Sequence, residues 1–289
     1  DAQPATWALL GLLSQAGLQL QHFLSRACFA PLDGATVATG VKSRHLDSWL
    51  MSEEVCRETF LNGAATTDVA VVEGRFQSAV PSTSRQGGNL ETLCDWLDLP
   101  RVAIVDAARL GPCVLPPRPE SLDAVILDRL PDRRSFFRWQ VELEAQWRVP
   151  VLGGILDDPV LRAVIDKLPR GTSPHAQICA ELAASLGSFA PVDRYIELAS
   201  RREQVAAPRR PARMARADHP VTVAVAYDEA FRCYFPDTLA LLEQLGAHVV
   251  DFSPLRSECL PEDVDVVYLG CGHPERYAAE LAGNHCLMM

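Results

Sequence analysis

The sequence VAVVEG at residues 69–74 is a short continuous apolar run that ends in an acid and a glycine. The same shape recurs at residues 102–106 (VAIVD) and 124–128 (AVILD), and residues 149–155 form a fourth apolar run. Such runs are typical of parallel strands that are buried on both faces of a sheet. Predicted helices, such as residues 134–147, separate them. The alternation of strand and helix predicts an α/β fold with a doubly wound, mainly parallel sheet.

Three of these runs end in an acidic residue: Glu73, Asp106 and Asp128. Ligands of open parallel sheets bind at the carboxyl ends of the strands. We therefore expect the three carboxyl groups to lie near one edge of the sheet.

The sequence predicts two domains joined by a linker. A helix over residues 6–21, with Gly17 at its end, opens the first domain, which extends to residue 205. Residues 206–220 mix arginine, proline and alanine and are predicted to be a solvated linker. Residues 221–289 start a second alternation, with predicted strands at 221–227, 248–252 and 264–269 and a helix at 236–245. This second unit is small for an α/β domain.

Composition narrows the classes of function. Apolar residues make up 48% of the 289 residues, and the formal net charge is −10, which argues against nucleic-acid binding. No apolar run is long enough for a membrane span, and residues 1–20 lack the basic start of a signal peptide. The nine cysteines show no CxxC spacing, so neither a zinc site nor a redox dithiol is indicated. We expect a cytoplasmic protein in which most cysteines are small core residues.

Several stretches in order resemble one family. They read TGVKSRHLDSWLM (39–51), DVAVVEG (68–74), RVAIVDA (101–107), AYDEAFRCYFPDTLALL (226–242), FSPL (252–255) and VYLGCGHPE (267–275). Their order and spacing resemble the cobyrinic (or hydrogenobyrinic) acid a,c-diamide synthases of cobalamin biosynthesis. The resemblance implies an ATP-binding domain of the P-loop NTPase and dethiobiotin synthetase type, followed by a class I-like glutaminase domain. It also implies amidation of corrin carboxylates with ATP, magnesium and glutamine.

The phosphate loop of that family departs from its pattern here. The family's Gly-Lys-Thr-Thr corresponds to Gln3, Pro4, Ala5 and Thr6, so only Thr6 matches. In the family the lysine neutralises phosphate charge and the hydroxyl binds magnesium. Pro4 suits the start of a helix, so the helix can persist while the phosphate chemistry is lost. We expect ATP and magnesium binding to be weak or lost, and no other cofactor is expected.

Four acidic residues are candidates for the functional site. The resemblance implies that Glu73 is a metal contact, although it could instead cap a neighbouring helix or loop. Asp128 stands where the family has an asparagine expected near adenine. Asp47 and Asp106 are candidate substrate-side residues, and Asp47 could instead be an N-cap.

The glutaminase half lacks its catalytic pair. The resemblance implies that the positions of the nucleophilic cysteine and its activating histidine would come after residue 289 of this sequence. Cys271 occupies a former glycine position, and its nearness in sequence to His273 is no indication of hydrogen-bond geometry. We therefore expect residues 221–289 to be a partial, inactive glutaminase-like domain.

Three interpretations of function follow. The first is a shortened, motif-degenerate family member that is non-catalytic and serves as a binding or interaction module, with a corrinoid or an unknown protein as its partner. The second is an active amidoligase whose missing groups come from removed sequence or another chain. The third is a purely structural or partner-binding domain. The exposed sheet edges expected in the second domain favour a homodimer.

Overall fold

The computed structural model describes residues 3–29, 31–75, 88–111, 115–202, 221–256 and 258–288. The chain divides into two compact units, one of residues 1–27 and 32–207 and the other of residues 28–31 and 208–289. The predicted linker at 206–220 lies outside the described residues.

The first half of unit 1 is a three-stranded sheet with helices between its strands. Its strand order is β2-β1-β3, and both pairings are parallel. The elements in chain order are α1 (Gln3–Gln15), β1 (Leu20–Leu24), α2 (Gly34–Thr39), β2 (Arg44–His45), α3 (Glu53–Ala64), β3 (Val69–Glu73) and α4 (Leu90–Trp96).

The second half of unit 1 repeats this arrangement. Its three parallel strands have the order β4-β5-β6. The elements are β4 (Val102–Asp106), β5 (Ala124–Leu130), α5 (Arg133–Trp147), β6 (Val151–Leu156), α6 (Pro159–Asp166), α7 (Ala176–Gly187) and α8 (Asp193–Ala199).

Alternate residues of these strands enter cores on opposite faces, as the two-residue period of a strand requires. Ala124 and Ile126 pack in the core that contains α1 and α7, which also receives Val69 from β3. Val125 and Leu127 pack on the opposite face against α5. Both faces are covered by helices, so the prediction of a doubly wound, parallel α/β fold is confirmed. The strands form two three-stranded sheets, however, and not the one sheet expected.

The prediction of one helix over residues 6–21 was wrong at its end. Helix α1 stops at Gln15, and Gly17 has φ of 86°, a left-handed conformation that glycine adopts without steric cost. The chain then enters β1, whose sequence LQHFL carries polar residues at its second and third positions. Because of these two polar residues, the central strand lacks the continuous apolar pattern that marks the others. Gln21 and His22 are nevertheless buried, and both have hydrogen-bond partners.

Unit 2 has one three-stranded parallel sheet of order β8-β7-β9. Its elements are β7 (Thr222–Ala226), α9 (Pro236–Gln244), β8 (His248–Phe252), β9 (Val266–Tyr268) and α10 (Ala278–Ala282). β9 is an edge strand, and its Val266 and Val267 are 46% and 42% exposed. An apolar groove of about 460 Å³ runs between β7, β9 and α9.

No helix in the described ranges is long and apolar enough to cross a membrane.

Four of the eight cysteines that the structure describes are buried, so the expectation that most are core residues holds for half of them, and Cys113 lies outside the described residues. Cys259 and Cys286, 27 residues apart, form a disulfide that spacing alone did not indicate, and Cys28 and Cys271 are exposed. Burial was correctly expected for the others that the structure describes: Cys56, Cys94, Cys179 and Cys233.

Candidate functional site

The start of α1 is built into the core of unit 1. Pro4, Ala5 and Thr6 are all buried in the first turn of the helix, and Gln3 is half-buried. The ring of Trp7, one residue further on, lies so close to Gly34 of α2 that a Cβ there would fall 2.3 Å from it. Pro4 has no backbone N–H to offer a phosphate, and none of these four side chains is cationic. This helix start therefore does not fit a nucleotide triphosphate.

The end of β5 holds a buried ion pair. Asp128 pairs with Arg162 of α6 through Oδ1 and Nη2, and their side chains are only 5% and 8% exposed. The register of β5 against β6 shifts between Leu127 and Leu130, and Arg129 between them has φ of 57°. The pair neutralises the carboxylate where the resemblance implies an amide near adenine. The positively charged side chain of Arg162 therefore lies next to the position at which the resemblance implies an asparagine.

Glu73 ends β3 next to a buried histidine. Its Oε2 lies 3.3 Å from His22 Nε2 of β1, close enough for an ion-pair contact although outside hydrogen-bonding geometry. The other ring nitrogen of His22, Nδ1, lies 2.8 Å from Ser43 Oγ. His22 is 2% exposed, so its two nitrogens have a polar neighbour on either side within the protein. Glu73 therefore contacts a protein side chain, and a metal role for it stays a prediction.

Asp47 organises the loop that follows β2. Its Oδ1 accepts hydrogen bonds from the N–H groups of Trp49 and Leu50, and its Oδ2 accepts one from Ala27 N–H. Asp47 is 3% exposed, so its carboxylate is committed to backbone donors. The helix that follows has its own cap, Ser52. Asp47 is therefore the cap of a tight turn and does not cap a helix.

This turn displays apolar side chains. Trp49 is 63% exposed and Leu50 is 60% exposed, although the backbone that carries them is fixed by the Asp47 carboxylate. Arg26, which is exposed, precedes the Ala27 that Asp47 also binds. Two exposed apolar side chains, one of them aromatic, therefore stand on a turn whose backbone is hydrogen-bonded to a buried carboxylate.

Asp106 and Asp128 are register partners on β4 and β5, as the expectation of a common edge requires. Asp106 is a cap, because its Oδ1 accepts a hydrogen bond from Ala108 N–H in the turn after β4. Glu73 is the register partner of Leu24 in the other sheet. The single edge expected for three carboxyl groups is therefore divided between two sheets.

In unit 2 residues 270–275, the GCGHPE turn, pack on the segment after β7. Tyr234 Oη accepts a hydrogen bond from Gly270 N–H and donates one to Ala226 O. His273 Nδ1 lies 3.1 Å from Glu275 Oε1, and Cys271 faces Cys233 across an antiparallel bridge. Cys271 and His273 thus each have a different partner.

Sequence reasoning missed three residues that shape these sites: His22, Arg162 and Trp49. His22 directly followed the segment 6–21 that was predicted to be a helix, and no strand was predicted there. Arg162 gave no signal, because a charged residue on a helix is expected at the surface. Trp49 lay inside the quoted stretch 39–51, where its exposure could not be inferred.

The described parts of the chain contain no cluster of metal-ligating side chains. No group of three or more histidine, cysteine, aspartate or glutamate side chains there could hold a metal ion. Magnesium bound with a nucleotide needs only one or two protein carboxylates, so weak or lost binding of ATP and magnesium stays a prediction.

Parallel strands wound by helices on both faces define the chain as an α/β protein of P-loop NTPase-like architecture. Its sequence is similar to proteins named cobyrinate a,c-diamide synthase. It is 29% identical to that of Syntrophotalea carbinolica, over 98% of this chain and 64% of the relative. It is 30% identical to that of Dehalococcoides mccartyi strain CBDB1, over 96% and 63%, and 29% identical to that of Salmonella typhimurium, over 98% and 64%.

Over most or nearly all of its length, the chain is therefore similar in sequence to the cobyrinate a,c-diamide synthases. It spans a little under two thirds of the length of these curated relatives. No family model and no solved structure matches the chain.

Proposed function

We propose that this chain is a non-catalytic member of its family that acts as a binding module for a corrinoid acid. The observation that carries the proposal is the buried start of α1, in which Pro4 and Ala5 replace the residues that hold phosphate and magnesium. A member without these groups has no means of converting a carboxylate into an acyl phosphate. Retention of the fold without this chemistry is what a binding module requires.

The loop that Asp47 fixes supports a binding role. An exposed Trp49 on a rigid turn offers a flat apolar face at little entropic cost, and such aromatic residues are enriched at binding surfaces. The relatives are named for cobyrinate, a macrocycle with carboxylate side chains. Its apolar ring would pack on Trp49 and Leu50, and its carboxylates would meet Arg26.

A second copy of the chain is the partner we propose for unit 2. Its apolar groove and the exposed Val266 and Val267 of edge strand β9 are surfaces that oligomers commonly cover. Symmetric pairing of β9 with the same strand of another copy would satisfy its free backbone groups.

A titration with cobyrinic acid tests the corrinoid proposal, because the chromophore reports its own binding by absorbance. We expect saturable binding that Trp49→Ala weakens at least tenfold, since burial of a tryptophan contributes more than the roughly 1.4 kcal/mol that a tenfold change represents. Phe137→Ala is the matched control, because Phe137 is an aromatic residue 58% exposed on α5. Equal binding by both variants would refute the assignment of the loop.

Assays of the same protein with ATP, magnesium and glutamine separate the active amidoligase from the non-catalytic interpretations. We expect no amidation of the corrinoid and no release of ammonia. Either activity, retained after further purification, would favour the active amidoligase and contradict the proposal.

A further inference from the structure

Two cysteines of unit 2 face each other on neighbouring backbone segments. Cys233 and Cys271 form an antiparallel bridge, and Cys233 N–H donates to Cys271 O at 3.0 Å. Directly opposed residues of an antiparallel pair have Cα atoms about 4.5–5.5 Å apart, with both side chains on the same face. This separation falls inside the range of roughly 4.4–6.8 Å that a disulfide spans.

The two segments are fixed against each other on both sides of the bridge. His273 N–H donates to Ala230 O at 2.9 Å, and Gly270 N–H donates to Tyr234 Oη at 2.9 Å. Gly272 has no room for a side chain, because a Cβ there would fall 1.8 Å from Ala230 O. The packing of the turn therefore holds the two cysteines opposite each other, and a cross-link between them requires little backbone movement.

We propose that Cys233 and Cys271 form an oxidisable thiol pair, which a hydroperoxide converts into a second disulfide of unit 2. Cys271 is exposed and Cys233 is buried, so the hydroperoxide meets Cys271 first. Burial raises the pKa of the Cys233 thiol, which disfavours its thiolate and hence its direct reaction with the hydroperoxide.

The chemistry balances with hydrogen peroxide as the oxidant. The Cys271 thiolate attacks one peroxide oxygen, the O–O bond breaks, and a sulfenic acid forms with release of one water after protonation. The Cys233 sulfur then attacks the sulfenic sulfur, loses its proton and releases a second water. Two thiols lose two electrons and two protons in all, and one peroxide is reduced to two waters.

The consequence is a covalent clamp between the segment after β7 and the GCGHPE turn after β9. The Cys259–Cys286 disulfide already joins two other segments of unit 2. Oxidation at Cys233 and Cys271 would fix the turn in the position that its hydrogen bonds now hold reversibly.

The test treats the full chain with hydrogen peroxide, blocks the remaining thiols with a maleimide, and maps the cross-links without reduction. A tryptic fragment holds both Cys259 and Cys271, so a second cleavage after Glu262 is needed to separate them. We expect a peptide that joins Cys233 to Cys271, lighter by two hydrogens than the sum of its parts, and an unchanged Cys259–Cys286 link.

Three variants make the result decisive. Cys233→Ser and Cys271→Ser should each abolish the new cross-link, whereas Cys94→Ser, which removes a buried thiol of unit 1, should leave it intact. Thermal unfolding should show a higher midpoint for the oxidised protein than for the reduced one, and neither serine variant should show this shift. Linkage of Cys28 to either cysteine, or oxidation of Cys271 to a sulfinic acid without cross-linking, would overturn the proposal.

Discussion

Removal of Arg162 should destabilise unit 1 strongly, because it would leave a buried carboxylate without its partner. Asp128 and Arg162 have side chains that are 5% and 8% exposed. Loss of one member of a buried pair typically costs about 3–5 kcal/mol, most of which is the cost of the uncompensated charge. Arg162→Met keeps the length and the apolar stem of the side chain, so we expect a loss in this range.

Urea unfolding followed by tryptophan fluorescence measures this loss as a change in the free energy of unfolding. Arg201→Met is the matched control. Arg201 pairs with Glu197, but these side chains are 54% and 70% exposed, and such a pair contributes under about 1 kcal/mol.

A double variant separates charge from packing. Asp128→Asn combined with Arg162→Met removes both charges, so we expect it to recover most of the stability that Arg162→Met loses. A cost for Arg162→Met no greater than that for Arg201→Met would refute the reasoning that the pair is buried and interdependent.

Three further predictions concern other parts of the chain. Tyr234→Phe should lower the stability of unit 2 by about 1–3 kcal/mol, measured by urea unfolding, because the N–H of Gly270 and the carbonyl of Ala226 lose their partner. Burial raises the pKa of Cys56, Cys94 and Cys179 to about 11, so these thiols stay protonated at pH 8. They should therefore react with a disulfide reagent far more slowly than the exposed Cys28 does. Equal rates in the folded protein would contradict this prediction. Val267→Lys should shift the protein from dimer to monomer in light scattering, since it places a charge on the exposed edge of β9; a wild-type monomer would exclude the proposed pairing.

The parallel architecture could be predicted from the sequence because strands buried on both faces need continuous apolar runs. The runs at 69–73, 102–106 and 124–128 contain β3, β4 and the first part of β5. β1 escaped because Gln21 and His22 are buried polar residues whose partners, Lys42 O and Ser43, come from another part of the chain. A strand that depends on long-range polar contacts has no local signature.

The candidate site was less accessible to sequence reasoning. The departure from the family's phosphate-binding pattern at Pro4 and Ala5 follows from the resemblance and the residue types at these positions, and the loss of phosphate binding there stays a prediction. The commitment of Asp47 to backbone donors could not be inferred, because Ala27 approaches it only in the folded chain. The Asp128–Arg162 pair joins residues 34 positions apart, and nothing in either segment indicates the other.

Calorimetry with ATP and magnesium tests most directly the claim that phosphate chemistry is lost. The missing lysine and hydroxyl each remove a contact worth roughly 1.5–3 kcal/mol to a charged group, so together they should weaken binding about 100-fold or more. We expect no heat of binding at micromolar ATP for the full chain, either alone or with cobyrinic acid present. A saturable micromolar affinity that depends on magnesium would contradict the account.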